Sequence, residues 1–189
     1  TELGGQWTAP YQSEMHALLA ELGLESFHAY REGDSLYIDP EGGLHRYAAD
    51  EEPLPAISAA AYGQAVTKLD ALCAELDPEA PWEHPRAPEL DGITFEQWLS
   101  AEVDDTLARD FLRSNMAGGY MTKPADSFSL LGAVATVAGA GSVANLFEPD
   151  LCLHSRIVGG SQLIPLRLAE RLGDRVIVDA PVRTLRWSD

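Results

Sequence analysis

The chain has 189 residues, of which 46% are hydrophobic and 23% charged, and its formal net charge at pH 7 is −17. This composition is typical of a folded globular protein of one or two domains, and so acidic a surface disfavours binding to nucleic acid phosphates. The same charge would attract small cationic molecules, although acidic residues also serve to keep proteins soluble.

Cysteine usage and the start of the chain favour a cytoplasmic protein. Cys73 and Cys152 are far apart and form neither a disulfide framework nor a zinc-binding pattern, so both are predicted to be reduced. No basic and apolar leader opens the chain, which predicts that it has no signal peptide. Residues 128–147 are uncharged, but their many small side chains favour a buried helix over a membrane span.

The first third of the chain predicts small elements. Residues 1–7 read as a strand running into a glycine turn. A helix is predicted to begin at Pro10 and to end at Gly23, because proline suits a first helical turn and glycine a C-terminal cap. Short alternating segments separated by glycine-containing turns then predict a small β-meander. These segments are residues 26–31, 35–39 and 44–47.

Helices dominate the prediction for the middle of the chain. They cover residues 58–76, 94–101, 104–115 and 125–138. Thr94 and Gln97 fit a capping box, in which each side chain satisfies a free backbone amide at the start of the helix. The proline-rich residues 78–88 predict an extended connection, and the glycines at 118–119 predict a break in the helical pattern.

The last part of the chain returns to mixed structure. Residues 156–160 read as the end of a strand followed by a turn, and a helix over 162–172 is predicted to end at Gly173. Residues 175–178 and 182–187 are rich in β-formers and predict two strands. The predicted fold class is therefore α+β, mostly helical, with an unfinished sheet at each end.

Common catalytic signatures are missing from the sequence. It contains no nucleophile elbow, no HExxH, no Walker loop and no GxGxxG, and its histidines are scattered. We therefore assign no catalytic residue and predict no metal site. Three glycine pairs, at 4–5, 118–119 and 159–160, each lie at an element boundary. Such pairs serve either as tight turns or as places where a ligand approaches the backbone closely.

Several segments together, in the same order along the chain, resemble the flavin monoamine oxidase family, and especially its bacterial putrescine oxidase branch. The similar segments are residues 3–7 (LGGQW), 18–25 (LLAELGLE), 30–33 (YREG), 81–86 (PWEHPR), 118–125 (GGYMTKPA) and 156–160 (RIVGG). The resemblance implies FAD as the cofactor and a small amine, such as a putrescine-like diamine, as the substrate. Hydride would pass from the amine α-carbon to the flavin N5, giving an aldehyde, ammonia and hydrogen peroxide.

The resemblance also implies roles for individual residues. It assigns flavin contacts to Gly4, Gly5, Gln6, Trp7 and Val182, and substrate contacts to Gly119, Tyr120, Met121 and Leu153. At the glycine pair 4–5 a Cβ atom would collide with the cofactor, and Val182 would reach the adenine end through its backbone. Leu153 takes the place of a glutamine in mammalian monoamine oxidases, which fits a different substrate. The simpler alternatives are that Trp7 is a core aromatic and Tyr120 a packed residue at the start of a helix.

The family's pattern divides the chain into three parts. Residues 1–12 would form an edge of the FAD domain, residues 13–158 a substrate-binding domain, and residues 159–189 a return to the FAD domain. The family's GxGxxG segment and its late flavin-binding segment do not occur in this sequence. We therefore expect the chain alone to hold flavin weakly and to be inactive, with companion segments or chains supplying the remainder. A homodimer is also compatible with the resemblance.

Three alternative functions stay open at this stage. An L-amino acid oxidase would need an arginine soon after the first glycine turn to pair with the substrate carboxylate, and residues 6–24 contain no arginine or lysine. A polyamine oxidase or a generic monoamine oxidase is a second alternative. The third is not an enzyme: an isolated substrate lobe that turns nothing over.

Overall fold

The chain consists of two compact units in a computed structural model that describes residues 4–39, 41–48 and 54–187. Unit 1 combines residues 1–29 with residues 153–189, and unit 2 is the continuous segment between them, residues 30–152. Helices and short antiparallel strands occur together, which confirms the predicted α+β class. The predicted functional division at residues 12 and 158 stays a prediction.

The regular elements are numbered in chain order. They are β1 (Trp7–Thr8), α1 (Ser13–Glu21), β2 (Ser26–His28), β3 (Ser35–Ile38), β4 (Leu44–Tyr47), α2 (Ala56–Glu75), α3 (Ala87–Asp91), α4 (Phe95–Glu102), α5 (Thr106–Arg113), α6 (Leu130–Ala140), α7 (Val143–Phe147), α8 (Pro149–Cys152), β5 (Ser155–Ile157) and α9 (Leu163–Leu172). A π-helix covers Ser114–Met121, and short 3₁₀ turns cover Pro81–Glu83 and Gly173–Arg175. No helix in the described part of the chain is long and apolar enough to cross a membrane.

Unit 1 is built on a three-stranded antiparallel sheet in the order β1-β5-β2. Strand β1 begins after the glycine pair at 4–5, whereas the sequence predicted a strand that runs into this pair. Residues 1–3 of the predicted strand lie outside the described residues. Helix α1 begins at Ser13, three residues after the predicted Pro10, and Gly23 ends it with a φ of +65° as predicted. The predicted turn after β5 is confirmed, since Gly159 and Gly160 have φ values of +84° and +97°.

The predicted three-stranded meander is a two-stranded hairpin in the structure. β3 and β4 pair antiparallel, with Ile38 opposite Leu44, but β2 pairs with β5 in the other sheet. One face of the hairpin packs on helix α5 through Tyr37, whose ring meets Phe111 edge-on at 5.7 Å between centroids. Alternating polarity identified three strands correctly, but it carries no information on which strand supplies the hydrogen-bonding partner.

Unit 2 is a helical body around one core made by α2, α4, α5, α6, α7 and the π-helix. Its completely buried side chains include Leu69, Phe95, Leu112, Met116 and Val134. The predicted helix over 58–76 is confirmed as α2, and the helix predicted from residue 125 begins later, at the start of α6. The proline-rich connection is not simply extended, because it contains the 3₁₀ turn and leads into α3.

Helix α4 begins at the predicted capping box. Thr94 Oγ1 accepts a hydrogen bond from the backbone N–H of Gln97 at 3.1 Å, and the Gln97 side chain accepts one from the Thr94 N–H at 2.8 Å. The next helix, α5, is capped by Asp105, whose carboxylate accepts from the Ala108 N–H at 2.8 Å. Both caps follow from local side-chain chemistry at the start of a helix.

The predicted break at Gly118-Gly119 is wrong. The chain leaves α5 without interruption and continues as the π-helix to Met121, where Thr122 ends it with a φ of +48°. Glycine weakens a helix but does not forbid one, so packing can override its preference. π-helices are rare and often occur at functional sites, which draws attention to this segment.

The two strands predicted in residues 175–178 and 182–187 do not form. Residues 176–187 lie outside any regular element, and their apolar side chains are exposed, from 41% for Val176 to 87% for Trp187. A strand is stable only when a neighbour satisfies its backbone groups. Within the described residues, no segment pairs with this one. The predicted helix before it is confirmed as α9, ended by Gly173 with a φ of +54°.

Candidate functional site

The glycine pair at positions 4 and 5 has open space around its Cα atoms. A Cβ atom built on Gly4 or Gly5 would meet nothing within 4 Å, and neither residue has a positive φ. The Gly5 carbonyl accepts a hydrogen bond from Ser161 Oγ at 2.9 Å, which fixes the backbone without restricting the side chain. No contact or backbone conformation within the described chain therefore requires glycine here.

Trp7 follows this pair on strand β1 and is half-buried, as is Gln6. It lies opposite Arg156 in the sheet, and the guanidinium carbon of Arg156 lies 5.2 Å from the centroid of the Trp7 ring. At this distance the cation and the ring attract each other, which helps to hold the indole in place. The edge of unit 1 therefore carries two glycines with free surface, followed by one fixed aromatic ring.

The other two predicted site residues of unit 1 lie in different surroundings. Val182 is 81% exposed and belongs to the extended segment that forms no strand. Leu153 is half-buried and lies two residues before β5. Their roles as adenine contact and cavity residue stay predictions.

The three predicted substrate contacts of unit 2 are consecutive residues at the end of the π-helix. The Tyr120 hydroxyl donates a hydrogen bond to the Leu146 carbonyl, and its ring centroid lies 5.7 Å from that of Phe147. The side chain remains 37% exposed, so one part is anchored and another is accessible. Gly119 is exposed, and a Cβ atom added to it would meet nothing within 4 Å. Met121 is half-buried against the core.

Helix α7, which supplies the Leu146 carbonyl, is itself held at its first turn. Asp70 Oδ1 accepts a hydrogen bond from the Val143 N–H at 2.8 Å, and Ser142 Oγ accepts from the Asn145 N–H at 3.1 Å. The sequence did not suggest a role for Asp70, because it lies on α2 and its partner is far along the chain. No local pattern signals such a pair.

A groove of about 720 Å³ lies on unit 2 beside the first half of the π-helix. Its lining is Glu96, Arg113, Ser114, Ala117, Gly118, Thr122, Lys123, Pro124, Ala125 and Asp126. Arg113 binds both oxygens of Glu96, with Nε and Nη2 at 2.6 and 2.8 Å, and also pairs with Asp110. This bidentate contact lowers the pKa of Glu96 and raises that of Arg113, because each charge stabilises the other. The Arg113 charge is therefore already balanced within the protein.

The comparisons with known proteins agree with one another. The sequence profile described as flavin containing amine oxidoreductase matches residues 1–189. The chain is 44% identical to putrescine oxidase of Kocuria rosea over 188 residues, which are 99% of this chain and 39% of that protein. It is 28% identical to a probable flavin-containing monoamine oxidase A of Dictyostelium discoideum, covering 97% of this chain and 41% of that protein.

A solved structure of wild-type putrescine oxidase bound to putrescine is similar in fold. It superposes with a TM-score of 0.94 at 44% identity, covering 100% of this chain and 42% of that structure. The chain thus spans about two fifths of the length of the curated relatives that it matches.

Proposed function

Because this chain belongs to the flavin-containing amine oxidoreductase family, we propose that it contributes the substrate-binding part and a flavin-contacting edge to an FAD-dependent oxidase of primary amines or diamines. The observation that carries the proposal is the 44% identity to putrescine oxidase, which extends over 99% of this chain. The products would be an aldehyde, ammonia and hydrogen peroxide. A putrescine-like diamine is the proposed substrate.

The open glycine surface supports a flavin contact at positions 4 and 5. Glycine is usually retained where φ is positive or where an atom approaches Cα closely, and the described chain provides neither reason at Gly4 or Gly5. A planar group lying against these two residues would explain why both are glycine. FAD bound there would provide the hydride acceptor, while Gln6 and Trp7 would border it on the same edge.

The substrate side of the proposal rests on the end of the π-helix. Tyr120 presents an anchored but partly exposed ring, and the adjoining Gly119 leaves space beside it. Aromatic and apolar walls with few polar groups suit an amine that must bind neutral and dry before oxidation. We propose Met121 and Leu153 as further apolar contacts of the substrate.

The exposed segment 176–187 supports a partner for this chain. It is rich in β-forming residues, yet Ile177, Val178, Val182, Leu185 and Trp187 are each at least 77% exposed. A concentration of exposed large apolar side chains in one segment is typical of an interface. We propose that flavin-bearing segments, as companion chain or further sequence, pair with it, and that the chain alone binds FAD weakly. Cytoplasmic location and a homodimer stay predictions.

The test compares two ligands that differ by one carboxylate. The protein is purified under native conditions together with its flavin-bearing segments, its visible spectrum is recorded, and putrescine or L-ornithine is added without oxygen. We expect a flavin band that putrescine bleaches quickly and L-ornithine slowly, with peroxide formed once air is admitted. Faster bleaching by L-ornithine would instead indicate an amino acid oxidase. A colourless protein that does not bind added FAD and produces no peroxide would support the non-enzymatic alternative.

A further inference from the structure

We propose that Asp70 is a positioning residue for Tyr120 and acts on it through helix α7. The inference rests on the proposed function, because it assumes that Tyr120 forms part of the substrate cavity. The proposal adds to the predicted site a residue of helix α2 whose side chain is hydrogen-bonded to the first turn of α7 and not to Tyr120 itself.

Three successive contacts connect the two residues. Asp70 Oδ1 accepts from the Val143 N–H at 2.8 Å, at the first residue of α7. One turn later the same helix presents the Leu146 carbonyl, which accepts the Tyr120 hydroxyl. The next residue, Phe147, places its ring 5.7 Å from the Tyr120 ring, measured between centroids. The position of α7 therefore determines both the hydrogen bond and the ring contact of Tyr120.

Helix α7 depends on outside support because it is short. It has only five residues, Val143–Phe147, and isolated helices of such length are unstable in water. Its first amides have no partners within the helix, so side chains must satisfy them. Ser142 satisfies one, and the Asp70 carboxylate satisfies another while placing a negative charge at the positive end of the helix. The same hydrogen bond links α7 to the long helix α2, on which Asp70 lies.

Tyr120 is sensitive to this support because the rest of its side chain is only partly enclosed. Tyr120 is 37% exposed, and the hydroxyl contact holds the outer end of its ring. If α7 shifts, the Leu146 carbonyl shifts with it, and the ring gains freedom to turn within the cavity. Substrate would then bind less well, whereas the flavin chemistry would be unchanged.

The experiment is a double-mutant cycle on the flavin-loaded protein with putrescine as substrate. Asp70→Ala removes the acceptor, and Asp70→Asn removes the charge but keeps an oxygen that can accept from Val143. Tyr120→Phe removes the hydroxyl, and the double variant Asp70→Ala/Tyr120→Phe closes the cycle. Asp77→Ala is the matched control, since the Asp77 carboxylate accepts from the Glu79 N–H at 2.9 Å in an exposed turn.

We expect Asp70→Ala to raise the KM for putrescine about two- to tenfold, the range for losing one hydrogen bond, with kcat nearly unchanged. Asp70→Asn should recover most of the loss, and Asp77→Ala should leave KM at the wild-type value. In the Tyr120→Phe background the further change on Asp70→Ala should be clearly smaller, because only the ring contact with Phe147 still connects α7 to residue 120. An equal rise in KM in both backgrounds, or no rise in either, would overturn the proposal.

A second measurement separates this proposal from the assignment of Tyr120 to the cavity. If Tyr120→Ala, which removes the ring, leaves KM unchanged, that assignment is wrong, and the shifts in melting temperature alone then test the connection between Asp70 and Tyr120. Shifts from Asp70→Ala and Tyr120→Phe that add in the double variant would refute the connection through α7. Shifts that fall clearly short of the sum would support it.

Discussion

Replacing Gly5 by alanine should separate folding from flavin binding. The added Cβ would meet nothing within 4 Å and the φ of Gly5 is not positive, so the chain itself tolerates alanine. The free energy of unfolding should change by less than about 0.5 kcal/mol, as for surface substitutions in general. If flavin lies against Gly5, the same methyl group must overlap it. Forced overlap costs about 1–3 kcal/mol, which corresponds to an affinity loss of about 5- to 150-fold.

The assay measures flavin content from the visible spectrum, flavin affinity by titration of the stripped protein, and the melting temperature of both forms. Gly63→Ala is the matched control, because Gly63 also has open space at its Cβ position but lies within helix α2. That variant should keep flavin and gain up to about 1 kcal/mol of stability from the better helix propensity of alanine. If Gly5→Ala retains wild-type flavin affinity, the cofactor does not lie against Gly5, and our interpretation of the glycine pair is wrong.

Three further predictions concern unit 2 and the cysteines. Thr94→Ala removes the capping box of α4 and should lower the free energy of unfolding, measured by urea titration, by about 1 kcal/mol. An unchanged midpoint of urea unfolding would show that the capping box does not stabilise the protein. Arg113 lowers the pKa of Glu96 below its ordinary 4.5, so the pair stabilises the fold above that pH and loses this effect as the pH falls through the lowered pKa. The difference in melting temperature between wild type and Glu96→Gln should therefore shrink as the pH falls below 4.5, and a difference that widens as the pH falls would refute the sign. Burial raises the pKa of the Cys73 thiol from 9.0 to about 12. At pH 8 a thiol reagent should therefore label the half-buried Cys152 first and should label Cys73 only when the protein unfolds. Rapid labelling of both cysteines in the native protein would contradict this prediction.

Helix ends were predictable from the sequence because their signals are local. The capping box at Thr94 and the glycine caps at Gly23 and Gly173 involve residues within a few positions of each other. The pairing of β2 with β5 was not predictable, since the two strands are separated by the whole of unit 2. A strand's own sequence specifies its alternation and not its partner. The same limit explains the failure at residues 176–187, where β-forming residues are present but nothing in the described chain supplies the hydrogen bonds.

The residues of the candidate site also divide into those that the sequence indicated and those that only the structure reveals. The family resemblance predicts Tyr120 as a site residue, and the structure adds how its hydroxyl is anchored. Neither the Asp70–Val143 contact nor the Glu96–Arg113 pair could be found from spacing, because each joins residues on different helices. Such contacts exist only after the helices have packed, so sequence periodicity carries no trace of them.

The π-helix makes the length of its segment as important as its composition. Substitutions within Ser114–Met121 change one side chain at a time, but the insertion or deletion of a single residue there changes every position that follows. In any helix each residue turns the chain by a fixed angle about the axis. Loss of one residue before Tyr120 would thus turn its ring away from the Leu146 carbonyl. If Tyr120 faces the substrate as proposed, relatives that differ in length at this point would present a different side chain there, and a single insertion or deletion would change the amine preference without rebuilding the surrounding helices.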